Sequence, residues 1–211
     1  MDGLLITISL TISSLVLGSS LGIAMAMGRS YSRPPLSTLI YIYEKVFRGI
    51  PLLVLLFLIF FGLGHAGMNL DPFHAAILGL GLRSAAYQAQ IFRSAINSIP
   101  EGQTIAGLAL GMSKIKTIRH ILLPQILRLS IPGWSNEFTI VLKDTSIAFG
   151  IGVIELMREG RYIFVRNPDL ILHVLLIIAL IYFIIVISVN KGLSYLEKKY
   201  KMSGYEVAVE R

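Results

Sequence analysis

Arg83, Tyr87, Asn136, Glu137, Lys143, Asp144 and Glu155 are charge-binding side chains set in or beside otherwise apolar stretches of the sequence. A guanidinium offers a planar fork of donors that matches a carboxylate. On this basis Arg83 suits an α-carboxylate or an acidic side chain, while Asn136 and Glu137 suit an ammonium group. At membrane depth each charge costs at least roughly 2.5–3.5 kcal/mol unless it is paired or wetted, so such residues line a cavity or an interface between subunits. Helical spacing puts Arg83, Tyr87 and Gln90 on one face, and Glu137 and Asp144 on another beside Asn136 and Lys143. An internal ion pair of Arg83 with Glu137, Asp144 or Glu155 satisfies the same chemistry without any solute. In Lys143-Asp144-Thr145-Ser146 the charges can neutralise each other while the hydroxyls satisfy backbone carbonyls, or the run can serve as a gate or subunit interface.

Bond-breaking chemistry finds no support. Gly107 to Lys114 lacks the adjacent Gly-Lys-Ser/Thr of a phosphate-cradling loop, and no G-x-S-x-G nucleophile elbow occurs. His65, His74, His120 and His173 are too scattered for a local metal site. Cysteine is absent, which removes disulfides, Cys-based zinc sites and thiol chemistry.

The elements that must position these side chains are membrane helices. Hydrophobic residues make up 55% and charged residues 15% of the 211, with a mean hydropathy of +0.73. Soluble domains carry roughly a quarter charged residues. Runs of about 20 apolar residues, enough to cross a bilayer, occupy most of the chain. The pattern predicts spans near 3–27, 36–63, 73–98, 125–157 and 170–189. The first is too long for a signal-peptide core and has its positive charge on the wrong side, so it is expected to stay, N-terminus outside. Five spans then put the C-terminus inside. Basic residues agree: Arg29, Arg33, Lys45, Arg48, Lys114, Lys116, Arg119 and Lys191 fall inside, against Arg158, Arg161 and Arg166 outside. The same rule accounts for the net charge of +7 more economically than nucleic-acid binding does. The fifth stretch, apolar nearly all round, is expected to face lipid.

Irregularities punctuate this frame. Gly49-Ile50-Pro51 and Pro132-Gly133 are expected to interrupt the second and fourth spans, which is tolerated where a cavity is lined; a simple kink is the alternative at Pro132. Gly18-x-x-x-Gly22, amid Ser13, Ser14, Ser19 and Ser20, is a small-residue face for close helix packing. Between the third and fourth spans, Pro100 to Pro124 forms a polar, basic, Gly-punctuated stretch with Ala106, Gly111, Ile121, Leu123 and Pro124 as its skeleton. It reads as a docking surface for another protein.

That skeleton resembles the EAA loop of permease subunits in ATP-binding-cassette importers. Phe47 to Leu53, Ala85-Ala86-Tyr87 with Ile91-Phe92-Arg93, Gly111-Met112-Ser113, Leu123-Pro124-Gln125, Asn136-Glu137-Phe138, Leu142 to Ser146 and Ile151 to Leu156 are similar, in order, to the polar-amino-acid branch of these importers. The resemblance implies an all-α integral membrane fold of five transmembrane helices, with a coupling helix between helices 3 and 4. One permease domain would cover 1–199, with its coupling loop at about 99–124, and 200–211 would be a mobile cytoplasmic tail. Also implied are a second permease subunit, identical or related, two ATPase subunits that carry ATP and magnesium, and an extracytoplasmic solute-binding protein. This chain would then hold no cofactor, be no enzyme, and sit in the cell membrane among lipid, passing a polar amino acid by alternating access. Methionine or an opine is an alternative solute, and a non-transporting assembly role is an alternative from another class.

Ile105, Ala106, Gly107, Gly111, Met112, Ser113, Ile121, Leu123 and Pro124 are the expected coupling residues. Two departures from the family pattern stand out in this region and the third span. Ile105 replaces the usual glutamate and Gly107 the second alanine, so coupling is expected to rest on Gly111 and the Ile121 to Pro124 end. Arg83 stands where relatives commonly carry a small or neutral polar residue.

Overall fold

The structure is a computed structural model and describes residues 2–200; the expected tail lies outside the described residues except for Tyr200. Regular structure among them is helical throughout: α1 (Asp2–Tyr31), α2 (Leu36–Gly49), α3 (Leu52–Phe57), α4 (Leu63–His65), α5 (Pro72–Ser98), α6 (Glu101–Ala109), α7 (Lys114–Thr117), α8 (Leu123–Asp144), α9 (Leu156–Arg166) and α10 (Ile171–Tyr200). Wider π turns, Leu58–Gly62 and Ile118–Leu122, join α3 to α4 and α7 to α8, and a 3-10 segment, Thr145–Ile151, follows α8.

By length and hydropathy, α1 and the run ending in α10 can each cross a membrane. Leu36–Gly49 with Leu52–His65 qualifies only as a bent pair, turned by 108°. Pro51, which cannot donate a backbone N–H, sits at that corner, and Ile50 before it is extended. The interruption expected at Gly49-Ile50-Pro51 is therefore present, as a sharp corner between α2 and α3. α5 and α8 have the length, 27 and 22 residues, but their polar side chains keep them out of the hydropathic pair.

Two expectations are corrected. The fourth stretch ends as an α-helix at Asp144; the 3-10 segment and a left-handed Gly152 (φ 105°) then turn the chain into the separate α9. Pro132-Gly133 does not interrupt α8, which continues through Pro132. Gly133 serves packing instead: a Cβ there would lie 2.8 Å from Ile91 Cγ2 of α5.

α1 and α5 run side by side in the same direction, and small residues make this possible. A Cβ on Gly18 would meet Gln88 Nε2 at 2.8 Å, and one on Gly22 would meet Gln88 Cβ at 2.8 Å. Side chains no larger than hydrogen let the two backbones approach within the range where dispersion and polar contacts operate. Two apolar clusters fill the ends of the bundle. One joins Leu10, Leu56, Leu80, Ala148, Ile151 and Val153 at the α9 end; the other joins Ala26, Phe92, Ala95, Leu122 and Ile126 near α7.

α5 starts at a well-formed cap. Asp71 accepts from the backbone N–H groups of Phe73 (3.0 Å) and His74 (3.2 Å), and Pro72 occupies the first turn. The hydrogen bond from the His74 ring, above all, holds the exposed Asp71 carboxyl below its ordinary 3.8.

Candidate functional site

α5, α8 and the end of α2 bring several of the polar residues expected at membrane depth together. Arg83 and Tyr87 are one turn apart on α5, and the guanidinium lies 5.3 Å from the centroid of the Tyr87 ring. Arg48, the penultimate residue of α2, covers the same ring at 4.9 Å and donates to Gln90 Oε1. The face expected from the i, i+4, i+7 spacing therefore exists, and the break after α2 brings Arg48 to it. Sequence reasoning did not rank Arg48 as a site residue, because its pairing depends on a bend that spacing along one helix does not reveal.

Of the three carboxylates open to Arg83, the structure selects Asp144. The pair joins the middle of α5 to the last residue of α8, with both side chains about one-fifth exposed. Only Nη1 is engaged in that bond; Nε is buried and has no hydrogen-bond partner. A buried guanidinium donor left unmatched is costly, and it is oriented by a pair that holds the rest of the group still.

Glu137 takes a different role. Trp134 Nε1 donates to Ser19 Oγ (3.0 Å), Ser19 donates to Gln88 Oε1 (2.7 Å), Gln88 Nε2 donates to Ser84 Oγ (3.0 Å), and Ser84 donates to Glu137 Oε1 (2.7 Å). Every donor in this chain points toward the carboxylate, so the polarity of each bond reinforces the next. Gln88 is fully buried in it. Ser84 and Gln88 stand four apart on α5 opposite the small-residue face of α1, and that spacing was the sequence signal available for the array. Asn136 and Lys143 are exposed on α8, apart from these buried bonds.

Glu155 is fully buried and belongs to α9. Its two carboxylate oxygens accept from the N–H groups of Met157 (2.8 Å) and Arg158 (2.9 Å), and Tyr182 donates its hydroxyl to it (3.2 Å). This N-cap ties the start of α9 to α10.

The expected docking loop is a helical hairpin. α6 turns through Gly111 (φ 77°), whose left-handed backbone disfavours any side chain, into Ser113, which caps α7. Gly107 is buried where α6 crosses α7: a Cβ there would lie 2.6 Å from Thr117 Cγ2 and 2.9 Å from Thr117 Oγ1. The departure from alanine at this position has a packing cause. Ile105 lies mid-helix with 63% exposure, so it neither caps α6 nor enters the core. Together with Leu108, Leu110 (80%) and Ile115 (78%) it forms an outward apolar surface, and Ala106 and Gly111 are exposed beside it. Ile121 turns the other way, into the cluster of Ala26, Phe92 and Leu122, while Met112 and Leu123 are partly covered and Pro124 is exposed. The hairpin thus has a contact side and an anchoring side. Lys114, 5.6 Å from the centre of the Tyr31 ring, adds a tie to the end of α1.

Residues 18–202 match the family described as binding-protein-dependent transport system inner membrane component. The L-cystine transport system permease protein TcyB of Bacillus subtilis (strain 168) is 42% identical over 183 residues, 87% of this chain and 78% of that one. The glutamine transport system permease protein GlnP of Escherichia coli (strain K12) is 34% identical over 203 residues, 95% and 92% of the two chains. Among solved structures, an amino acid ABC transporter crystallised with histidines aligns with a TM-score of 0.85 at 34% identity, covering 94% of this chain and 92% of the other. An inward-facing MetNI methionine ABC transporter shares the fold, with a TM-score of 0.73 at 21% identity over 92% and 94% of the chains.

Proposed function

Because the chain belongs to the family of binding-protein-dependent transport system inner membrane components, we propose that it is the membrane subunit of an ATP-driven importer of a polar amino acid. L-Cystine and L-glutamine, named for the relatives, are the solute types to test first. Both carry an α-carboxylate and an α-ammonium group.

One observation carries the site assignment: Arg83 is held by Asp144 through Nη1 while its buried Nε lacks a partner. A solute carboxylate that reaches Arg83 finds this donor unmatched, and the guanidinium then donates to two carboxylates that share one positive charge. Tyr87 and Arg48 wall the same face, and Glu137, the buried carboxylate beyond Ser84, is the candidate partner for the ammonium end. Five crossings, with the N-terminus outside, put α6 and α7 on the cytoplasmic side and α9 on the outer side. The broken α2–α4 run counts as the second crossing, and α5 and α8, shielded from lipid by neighbours, as the third and fourth. The contact side of the hairpin, with Ile105 and Leu110 at its centre, docks on one of two ATPase subunits, where ATP and magnesium act. A second permease copy or relative completes the path, and a solute-binding protein delivers at the outer face of the cell membrane. This chain supplies selectivity and coupling, and no bond is broken on it.

The test is reconstitution of the complete complex in nanodiscs with its ATPase and solute-binding protein. ATP hydrolysis that rises with both the receptor and L-cystine or L-glutamine supports the proposal; hydrolysis indifferent to every polar amino acid refutes it. Arg83→Ala should weaken apparent solute affinity, whereas unchanged affinity with lowered stability assigns Arg83 to structure alone.

A further inference from the structure

The residues following Asp144 form a 3-10 helix of seven, Thr145–Ile151. Such helices rarely exceed three or four residues, because their hydrogen bonds are poorly aligned, and a longer one marks a strained or switching segment. Both of its ends are tied. At the start, Asp144 is drawn to Arg83 of α5. At the finish, Arg158 Nη1 of α9 donates to Phe149 O (3.1 Å), and Gly152 leaves in a left-handed conformation that closes the segment. Between the ties, Thr145 Oγ1 donates to Leu142 O (2.6 Å) and Ser146 Oγ to Lys143 O (2.7 Å), so hydroxyls occupy carbonyls near the junction with α8.

The far side of this device is anchored. The N–H of Leu156 donates to Thr7 Oγ1 of α1 (3.2 Å), the Glu155 cap reaches Tyr182 of α10, and Gly160 packs where a Cβ would lie 2.2 Å from Ile178 Cδ1 of α10. α9, α1 and α10 therefore respond as one body at this end. α8 leads in the other direction, through the π turn Ile118–Leu122, to α7 and α6.

From this geometry we infer that Asp144 is a built-in competitor of the solute carboxylate for Arg83, and that its displacement rewinds Thr145–Ile151 from 3-10 toward α-helix. The inference rests on the proposed role of Arg83 in solute binding. The solute carboxylate draws on the same guanidinium and lies beside the like charge of Asp144, so it weakens the Asp144 tie. A freed segment regains the better-aligned α-helical bonds. The rise per residue falls from about 2.0 to 1.5 Å, which shortens seven residues by up to ~3.5 Å. With α9 held by α1 and α10, that shortening is taken up by α8, and it reaches the coupling hairpin. Asp144 is a positioning residue here, one that converts solute occupancy into a mechanical signal.

Hydrogen exchange of the complete nanodisc complex, with saturating L-cystine or L-glutamine against no amino acid, tests the device. In the wild type the solute should slow exchange across 145–151 several-fold. Asp144→Asn should show the slow rate without solute, bind the amino acid about tenfold more tightly, and hydrolyse ATP without solute at a rate near the stimulated one. Unchanged or faster exchange on adding solute to the wild type overturns the inference, and so does an Asp144→Asn complex that keeps the wild-type solute-free rate. If Asp144→Asn fails to assemble, the wild-type exchange result decides alone. Arg83→Ala separates the two readings: full solute affinity in that variant removes the role of Arg83 in binding, whereas lost affinity beside a null exchange result removes only the Asp144 device.

Discussion

Replacing Gly107 with alanine would restore the residue usual at this position of the loop, and it should nevertheless damage the protein. The new Cβ would sit 2.6 Å from Thr117 Cγ2, 2.9 Å from Thr117 Oγ1 and 3.0 Å from Ile121 Cδ1. Ile121 can swing its terminal methyl aside, but Thr117 is β-branched, fully buried, and held by its own hydrogen bond to Ser113 O (3.1 Å). Overpacking of this kind costs about 1–3 kcal/mol, against a gain of ~1 kcal/mol in helix propensity on replacing glycine. The net is about 1 kcal/mol against docking α6 on α7, roughly a fivefold shift in that local equilibrium. Hydrogen exchange of α6 in the intact complex should speed up several-fold, and solute-stimulated ATP hydrolysis should fall while solute-free hydrolysis holds. Thr117→Ser deletes the closest clashing atom and keeps the hydroxyl, so the double variant should recover at least half of the lost protection. Wild-type protection in Gly107→Ala, or no recovery in the double variant, would refute the packing explanation.

Gln88→Leu should lower the thermal midpoint of the complex, because it leaves the part-buried Ser19 hydroxyl without its acceptor and breaks the array between Ser19 and Ser84, and an unsatisfied polar group costs about 1–3 kcal/mol; an unchanged midpoint argues that the array is dispensable. Gly160→Ala forces a Cβ to within 2.2 Å of Ile178 Cδ1, so it should destabilise the α9–α10 contact, and Ile178→Val, which removes that methyl, should restore it in a thermal-shift comparison. Arg83→Lys retains charge but loses the fork, so solute affinity should drop nearly as far as in Arg83→Ala in a titration of stimulated hydrolysis. The Asp71 cap has a pH signature: its carboxyl is lowered when folded, so its stabilisation is complete above the ordinary 3.8 and is lost as pH falls through the lowered value. Exchange in the first turn of α5 should therefore accelerate only on acidification below about 3.8, and Asp71→Asn should remove that dependence.

Composition and near neighbours along the chain settle a group of local properties. Apolar runs announced α1 and α10, and i, i+4, i+7 spacing announced the Arg83, Tyr87 and Gln90 face, because a helix turns the same way wherever it lies. Gly18 and Gly22 announced a close helix contact for the same local reason. Which partner each face met follows from how distant segments pack. Arg83 chose Asp144 over Glu137 and Glu155 because the register of α5 against α8 puts one carboxylate within reach, while Glu155 is spent on the start of α9 and Glu137 on the Ser84 hydroxyl. The 108° turn at Pro51, which brings Arg48 over Tyr87, and the crossing of α6 over α7, which requires glycine at 107, likewise come from contacts between distant segments. The energy of an ion pair or of a crowded Cβ changes within an ångström or two, and no periodicity in one helix specifies its offset against another to that accuracy.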